Sequence, residues 1–451
     1  MKVIRVLAWI VLVLLVILAA VGVAWGYTRY ILVLVLGVGA LFLFVSHPET
    51  PMTVFYPLIW LYWSYITPWL GGRLERAIGV LAIAGVALIL LSRRQNLERL
   101  PAIVFTGLAL LFGSNVISGM INFTPSVQAS LVSLVTRLLF LYLAYFLLHT
   151  SQQLRLASWL LITSGLVGAV IILFINLRWG MGFFRTTQGA IMLQASLGPF
   201  WYSLLEGGNS LTFPAVLLLG IYPTLRKPLQ RFLVLAGAVF LFAMAFFAQF
   251  RREILITVGI VLLYLIVTNF GSIRWGTLVV LVFLAIFYLL VLQPSAIFQQ
   301  RLAETAMVSQ GTDPRLMTLE VGLQVFIKSP IIGWGPGNYE RASSTVLGPS
   351  LLPLYYHSYN VFMYFAVESG LLGLGGLLLT LLGVFRQVRQ PTVDPGSTEG
   401  WILRSAPIIL LVIIISYLFG NYYDMSLPWF LMGLMLSAAR LTKTSLQEGC
   451  K

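Results

Sequence analysis

One of the three histidines in this sequence, His357, lies in the polar stretch PLYYHSYNVF, directly before a long apolar run. A neutral imidazole near pH 7 can take a proton from an incoming hydroxyl group. The other two, His47 and His149, stand in a short loop and at the end of an apolar run, positions typical of a membrane interface. His357 is therefore the candidate general base.

A second set of residues has the chemistry of an anion clamp. A guanidinium group presents planar N–H donors that bind phosphate oxygens in pairs. The alternative is that these side chains extend to lipid headgroups or pair with neighbouring acids such as Glu253 and Asp313. The candidates are four arginines that stand outside or at the ends of apolar runs: Arg185, Arg251, Arg252 and Arg315.

The element that must position Arg315 is a helix predicted from GTDPRLMTLEVGLQVF. Thr312 or Asp313 can cap it, and Pro314 suits its first turn. A cation there opposes the helix dipole, whereas an anion bound by the free N–H groups would be assisted by it. Apolar residues at helical spacing predict an amphipathic helix that lies with this face on the bundle: Leu316, Leu319, Leu323 and Phe326.

The stretch GWGPGNY follows, with Gly333 and Gly335 two residues apart. It lacks the preceding strand and the Lys-Ser/Thr ending of a nucleotide-binding loop. We therefore expect a tight turn that returns the chain to the membrane.

All of these residues stand in a chain with the composition of a membrane protein. Of 451 residues, 59% are hydrophobic and 9% are charged, against about a quarter charged in soluble domains. The sequence predicts one all-α polytopic domain over residues 1–451, with roughly 12–14 transmembrane helices. Hydropathy places the spans near 5–26, 30–46, 53–70, 78–92, 101–121, 127–148, 156–177, 210–225, 230–249, 253–270, 275–293, 358–385, 402–420 and 426–439.

The net charge of +14 comes from cations scattered between apolar runs. This pattern favours membrane topology and contact with anionic lipid, and we expect no nucleic-acid partner. The positive-inside rule places both termini in the cytoplasm. Two longer polar stretches, 178–209 and 294–357, then lie on the outer face. The single cysteine, Cys450, excludes an intrachain disulfide.

The stretch DPRLMTLEVGLQVFIKSPIIGWGPGNYE, followed by HSYNVFMYFAVESGLLGLGG, resembles the O-antigen ligase and O-antigen polymerase superfamily. The shared pattern is an arginine, an amphipathic helix, a Pro-x-x-Gly-x-Gly turn and a His/Asn-led span with Glu-x-Gly-x-x-Gly. Weaker similarity extends upstream to Arg185, to GNSLTFPAVLLLG and to QFRREILI.

The resemblance implies a GT-C-like glycosyltransferase of the bacterial inner membrane, with a periplasmic active site, no metal and no cofactor. Such enzymes transfer a glycan from undecaprenyl pyrophosphate to an acceptor hydroxyl, on the lipid A core in ligases and on a lipid-linked repeat unit in polymerases. The chemistry needs one base and a clamp for the leaving group, and a single displacement predicts inversion at the anomeric carbon.

By this resemblance, His357 activates the acceptor while Arg251 or Arg252, Arg315 and Arg185 hold the pyrophosphate. Two features depart from the family pattern. Tyr359-Asn360 replaces its frequent His-Asn pair, so His357 is either the first histidine of a His-x-His-Asn variant or a substitute. Arg251-Arg252 replaces a single arginine after serine.

Five residues are expected to support the site: Asn360, Tyr359, Glu368, Gly333 and Gly335. An unpaired carboxylate inside a span is costly, so Glu368 is expected to face an arginine or to cap the catalytic loop. The main alternative function is a polysaccharide or lipid transporter, although paired half-repeats typical of transporters are absent from the sequence. A peptidoglycan polymerase of related fold is a third reading.

Overall fold

The computed structural model describes residues 47–60, 74–93, 99–179, 209–248, 259, 314–348, 358–389, 396–420 and 425–449. Within these residues all regular structure is helical. The first described element is a π-helical turn, Pro51–Phe55. The 3-10 turns Asn209–Leu211 and Tyr222–Thr224 flank one short helix. The α-helices are α1 (Tyr56–Ile59), α2 (Leu74–Arg93), α3 (Ala102–Ile121), α4 (Pro125–Leu147), α5 (Ser151–Trp179), α6 (Thr212–Ile221), α7 (Pro228–Ala248), α8 (Pro314–Lys328), α9 (Tyr339–Ser343), α10 (Val361–Arg389), α11 (Thr398–Phe419) and α12 (Leu427–Gly449).

Six helices in the described part of the chain are long and apolar enough to cross a membrane: α3, α4, α5, α7, α10 and α11. The predicted all-α polytopic fold is therefore confirmed. The predicted spans 101–121, 127–148 and 402–420 agree with α3, α4 and α11 within two residues at each end except the start of α11, which lies four residues earlier. The spans predicted at 5–26, 30–46 and 275–293 lie outside the described residues, as does nearly all of 253–270.

The predicted span 210–225 corresponds to a continuous helical segment, in which α6 lies between two 3-10 turns. Every residue of α6 is buried. Its neighbours are α5, α7 and α11. With its two 3-10 turns the segment is about 27 Å long, close to the thickness of the hydrocarbon core. Hydropathy alone does not separate such a buried segment from a lipid-facing span.

The most extensive helix pairing joins α3 and α10, which run antiparallel. Glycines allow the two backbones to approach closely: a Cβ on Gly107 would lie 2.6 Å from the Thr380 nitrogen. A Cβ on Gly376 would overlap the backbone at Leu111. In lipid, helix association depends on close packing of small residues, because lipid tails are as apolar as leucine. This pairing therefore fixes the position of α10, which carries the candidate site.

The helix α10 has 29 residues, about 43 Å at the α-helical rise. Its last 20 residues, from Gly370 to Arg389, suffice to cross the hydrocarbon core. The first turns, from Val361 to Ser369, therefore extend toward one membrane surface. The helices α8 and α9 lie in the described portion of the stretch 294–357, and both contact α10.

Candidate active site

The helix α10 is broken at Gly370, whose φ of 69° and ψ of −167° are not helical. Breaking a helix releases backbone groups, and the turn after α8 satisfies them. The Trp334 N–H donates to the Val367 carbonyl at 2.9 Å, and the Gly335 N–H donates to the Glu368 carbonyl at 2.9 Å. In return, the Leu371 N–H donates to the Pro330 carbonyl at 2.8 Å. The break and the turn therefore form one hydrogen-bonded unit.

The turn needs its glycines for conformational reasons. Gly333, Gly335 and Gly337 all have positive φ, between 76° and 92°. A Cβ on Gly333 would lie 2.5 Å from the Glu368 carbonyl oxygen, so its glycine also permits close approach to α10. The tight turn predicted for GWGPGNY is confirmed, and its second role is to complete the break in α10.

The helix α3 and the residues after it fasten this unit to the bundle. The Ser118 hydroxyl donates to the Glu368 carbonyl at 2.8 Å. The Asn122 side-chain amide donates to the Gly333 carbonyl at 3.2 Å. The Asn338 amide donates to the Asn122 carbonyl at 2.8 Å, and Thr124 donates to Asn338 Oδ1 at 2.6 Å. The break, the turn and the α3–α4 connection therefore meet at the same end of the bundle.

The side chain of Glu368 is enclosed at this junction, with 1% of its surface exposed. Its carboxylate faces the Tyr364 hydroxyl and the backbone N–H groups of Gly337 and Tyr339. One carboxylate oxygen, Oε1, has no hydrogen-bond partner among the described residues. The side chain of Glu368 thus faces the end of the glycine turn, at Gly337 and Tyr339. Its backbone carbonyl accepts the hydrogen bond from Gly335, within the turn.

Arg137, on α4, is a charged residue near this site that the sequence reasoning missed. It is 5% exposed, and its guanidinium donates to the Ser133 hydroxyl at 2.6 Å. It interacts electrostatically with Glu368 and with Tyr417 of α11. The signal was available, since a lone cation inside the predicted span 127–148 is costly unless it faces a polar partner. Polar side chains of α4, α10 and α11 are therefore near enough to act on one another electrostatically: Arg137, Glu368 and Tyr417.

A second set of contacts joins α8 and α9 to the start of α10. The buried Tyr339 hydroxyl donates to the Thr318 carbonyl at 3.3 Å and lies within hydrogen-bonding reach of the Ser358 hydroxyl. Burial raises the pKa of Tyr339 to about 12, so this hydroxyl stays neutral at physiological pH. Thr318 is one turn after Arg315, and Ser358 directly follows His357 in the chain. These contacts bring the chain neighbours of Arg315 and His357 together.

The start of α10 is capped by Asn360, whose Oδ1 accepts a hydrogen bond from the Met363 N–H at 2.9 Å. This is the usual role of asparagine at a helix N-terminus. The neighbouring Tyr359 is 40% exposed. Tyr359 therefore faces the open side of this region, whereas Asn360 sets the geometry of α10.

The predicted orientation of α8 is wrong for three of its four apolar residues, whereas Phe326 packs against the core as predicted. The face expected on the bundle is open: Leu316, Leu319 and Leu323 are 62%, 40% and 49% exposed. The face that packs on α9 and α10 instead carries Thr318, Val321, Gly322 and Val325. A Cβ on Gly322 would lie 2.5 Å from Met363 Cγ, so close approach to α10 selects the smaller residues.

Four predicted residues, Arg185, Arg251, Arg252 and His357, lie outside the described residues. For Arg315 the structure gives the backbone, in the first turn of α8. It brings Gly333, Gly335 and Glu368 into direct contact across the break in α10, with Asn360 and Tyr359 at the start of the same helix.

The fold and this site define a multi-pass membrane protein with a broken helix held by a glycine turn. Residues 236–378 match the family model described as O-antigen ligase. The matched segment includes α8, the glycine turn, α9 and the break in α10, so the resemblance drawn from the sequence is confirmed there. A comparison with curated proteins gives no match.

Removing the Glu368 carboxylate is expected to destabilise the protein. Glu368→Ala removes the carboxylate that faces the N–H groups of Gly337 and Tyr339, and a buried donor left without an acceptor costs about 1–3 kcal/mol. The thermal unfolding midpoint in detergent should fall clearly, and less so for Glu368→Gln, which keeps an acceptor oxygen. Glu340→Ala, at an exposed position of α9, is the matched control. Equal midpoints for Glu368→Ala and Glu340→Ala would contradict this role.

Proposed function

We propose that this protein is an inner-membrane glycosyltransferase that moves a glycan from an undecaprenyl-pyrophosphate donor to an acceptor hydroxyl. The acceptor is a sugar of the lipid A core or a lipid-linked repeat unit. The reaction inverts the anomeric carbon and takes place on the periplasmic side, with both termini in the cytoplasm. Arginines, rather than a metal, neutralise the leaving group.

The observation that carries the proposal is the unit formed by the segment that matches the O-antigen ligase family. In it, the Tyr339 hydroxyl contacts Thr318 and Ser358, one turn from Arg315 and one residue from His357 respectively. The proposed clamp and the proposed base therefore belong to adjoining backbone segments. The open apolar face of α8 lies beside them, as suits an enzyme whose donor carries a long isoprenoid chain.

The proposed step is a single displacement. The His357 imidazole takes the proton of the acceptor hydroxyl as the acceptor oxygen bonds to the anomeric carbon. The bond from that carbon to the pyrophosphate oxygen breaks on the opposite face, and undecaprenyl pyrophosphate leaves with the electron pair. Arg315, Arg251 or Arg252, and Arg185 bind the charge that develops on it. The backbone hydrogen bonds across the break at Gly370 hold the glycine turn in place.

The proposal is tested by transfer in vitro with a purified undecaprenyl-pyrophosphate glycan. Arg315→Ala is expected to lower kcat/KM by about 10²–10³-fold, as for loss of one transition-state donor. Arg315→Lys should recover part of the loss, because it keeps the charge without the bidentate geometry. Arg341→Ala, an exposed arginine on α9, is the control. Turnover equal to wild type in Arg315→Ala would overturn the clamp assignment.

The same assay separates the remaining functions. A ladder of products identifies a polymerase, and a single addition to a lipid A core acceptor identifies a ligase. A transporter or flippase would move the donor across vesicles and form no new glycosidic bond. Movement of the donor across the vesicle membrane without a glycan product would therefore contradict the transferase function and indicate a transporter.

A further inference from the structure

The surface of α8 that faces away from the bundle divides into an apolar and a polar sector. The apolar sector is a line of four exposed side chains, which we call the apolar stripe of α8: Leu316, Leu319, Leu323 and Ile327. The polar sector beside it consists of three exposed side chains: Glu320, Gln324 and Lys328. At 3.6 residues per turn, each sector covers about 80° of the helix surface. The helix therefore has one packed face, one polar face and one open apolar face.

The polar sector of α8 continues onto α9. The Lys328 ammonium donates to the Thr345 carbonyl at 3.0 Å and to the Thr345 hydroxyl at 3.2 Å. Thr345 follows α9, and the residues exposed with it there are also polar: Glu340, Arg341 and Ser344. This side of α8 is therefore suited to contact with water.

The apolar stripe continues onto α10 instead. Two exposed isoleucines, Ile331 and Ile332, follow α8. The Leu371 N–H donates to the Pro330 carbonyl at 2.8 Å, so the backbone of these isoleucines adjoins the membrane-crossing part of α10. That part of α10 exposes a row of leucines, which face lipid if the helix crosses a membrane: Leu371, Leu372, Leu378 and Leu382. The stripe and the lipid-facing surface of α10 thus form one continuous apolar surface.

The helix α8 runs beside the first turns of α10 in the same direction. Gly322 approaches Met363 so closely that a Cβ would lie 2.5 Å from Met363 Cγ. Eight residues further along both segments, the Pro330 carbonyl accepts the hydrogen bond from Leu371. The second half of α8 therefore lies at the level of residues 363–371.

Two of the helices long enough to cross a membrane end at this same level. The Ser118 hydroxyl, near the end of α3 at Ile121, donates to the Glu368 carbonyl at 2.8 Å. The Phe362 ring contacts the Tyr417 ring near the end of α11, with 6.1 Å between their centroids. The ends of membrane-crossing helices lie at the boundary of the hydrocarbon core. The second half of α8 therefore lies at that boundary.

We propose that α8 is an interfacial helix whose apolar stripe is immersed in the acyl chains of the membrane leaflet at this end of the bundle. Continuity decides the occupant, because the stripe joins the lipid-facing surface of α10 at the depth where α3 and α11 end. An apolar face in lipid beside a polar face in water is typical of helices that lie in the membrane interface. The contact ties the glycine turn, which follows α8, to the membrane surface. It goes beyond the proposed transferase and does not rest on it.

The test measures the surroundings of a nitroxide probe by its collisions with oxygen, which partitions into lipid, and with a nickel chelate, which stays in water. The probes are attached through Leu323→Cys and Ile327→Cys in the full chain, in which Cys450→Ser removes the single native cysteine. Both side chains are exposed, so the changes remove little packing. In phosphatidylcholine vesicles, both probes should collide more with oxygen than with the nickel chelate.

Three control positions calibrate this result. Leu378→Cys, exposed on the membrane-crossing part of α10, gives the lipid reference, and Glu340→Cys on α9 gives the water reference. Gln324→Cys is the matched control, because it lies next to Leu323 in the chain but in the polar sector. The ratio of oxygen to nickel collisions should therefore reverse between the probes at Leu323 and Gln324.

Two results would overturn the proposal. Nickel collisions at Leu323 and Ile327 as frequent as at Glu340 would mean that the stripe faces water. Infrequent collisions with both reagents would mean that protein covers the stripe, either the stretch 294–313 or a second copy of the chain. Neither readout involves glycan transfer, so the failure of the proposed function would leave this result unchanged.

Discussion

Transfer of the glycan is expected to fall by about 10²–10⁴-fold when His357 is replaced by alanine, the range typical of a lost general base. The acceptor hydroxyl keeps a pKa far above 7, so without the imidazole its proton must leave to water during the displacement. Donor binding should persist in His357→Ala because the arginines remain. The measurement is the initial rate of product formation with a purified undecaprenyl-pyrophosphate glycan, together with donor affinity.

The pH profile provides the second readout for His357. The acidic limb of the profile falls where acid protonates the base, because a protonated imidazole cannot accept a proton. This acidic limb should be present in wild type and absent in the residual activity of His357→Ala. His47→Ala is the control, since the side chain of His47 is 67% exposed beside Glu49. An unchanged rate and profile in His357→Ala would remove the histidine from the mechanism.

The bundle was predictable because its spans depend on one property, the length of an apolar run. The predicted span 101–121 corresponds to α3, Ala102–Ile121. Unpaired backbone groups at a helix end need water or protein partners, so a helix in lipid ends where its apolar run ends. The burial of α6 was not predictable in this way. Its apolar residues face protein on every side, and composition does not distinguish a protein neighbour from lipid.

The same limit explains why α8 is oriented opposite to the prediction. In water, an apolar stripe identifies the buried face of a helix. Next to a membrane, an apolar stripe identifies only the face that avoids water. In α8 the side chains of Leu316, Leu319 and Leu323 are exposed, whereas Gly322 packs on α10. Close packing between helices depends on small residues. The single glycine of α8, Gly322, would have been the better guide to its packed face.

The parts of the site that depend on one residue's own conformation or chemistry were predictable from the sequence. The parts that depend on contacts between distant segments were not. The turn at Gly333 and Gly335 could be predicted from local conformation. Its hydrogen bonds to Val367 and Glu368 depend on α8 returning to α10, which no local pattern encodes. Arg137 could have been recognised as a lone cation inside a predicted span, but the sequence does not show that Glu368, on a distant helix, lies near it.

Gly370→Ala is expected to have the largest effect on stability. Alanine at φ 69° and ψ −167° occupies a region that is essentially restricted to glycine, costing about 1–3 kcal/mol. Its Cβ would also overlap the Ile331 carbonyl oxygen, which forces the turn away from α10. The three backbone hydrogen bonds across the break would weaken, each worth roughly 1 kcal/mol. A total loss of about 3–5 kcal/mol follows, measured as a lower unfolding midpoint in detergent.

The control on the same helix should change stability in the opposite direction. Gly375 has open space around its Cβ position and lies in regular helix, so Gly375→Ala is expected to gain about 0.5–1 kcal/mol. If Gly375→Ala also lowered the unfolding midpoint, alanine would destabilise α10 in general. The loss in Gly370→Ala would then not be specific to the break.

The partner residue Gly333 provides the decisive comparison, because its Cβ would approach the Glu368 carbonyl from the other side of the same hydrogen bonds. Gly333→Ala should therefore cause a loss similar to that of Gly370→Ala. The double variant should lose much less than the sum, since either change already separates the turn from the helix. Additive losses would mean that the turn and the break are stabilised independently. Glu368 would then hold the turn without the contribution of the break.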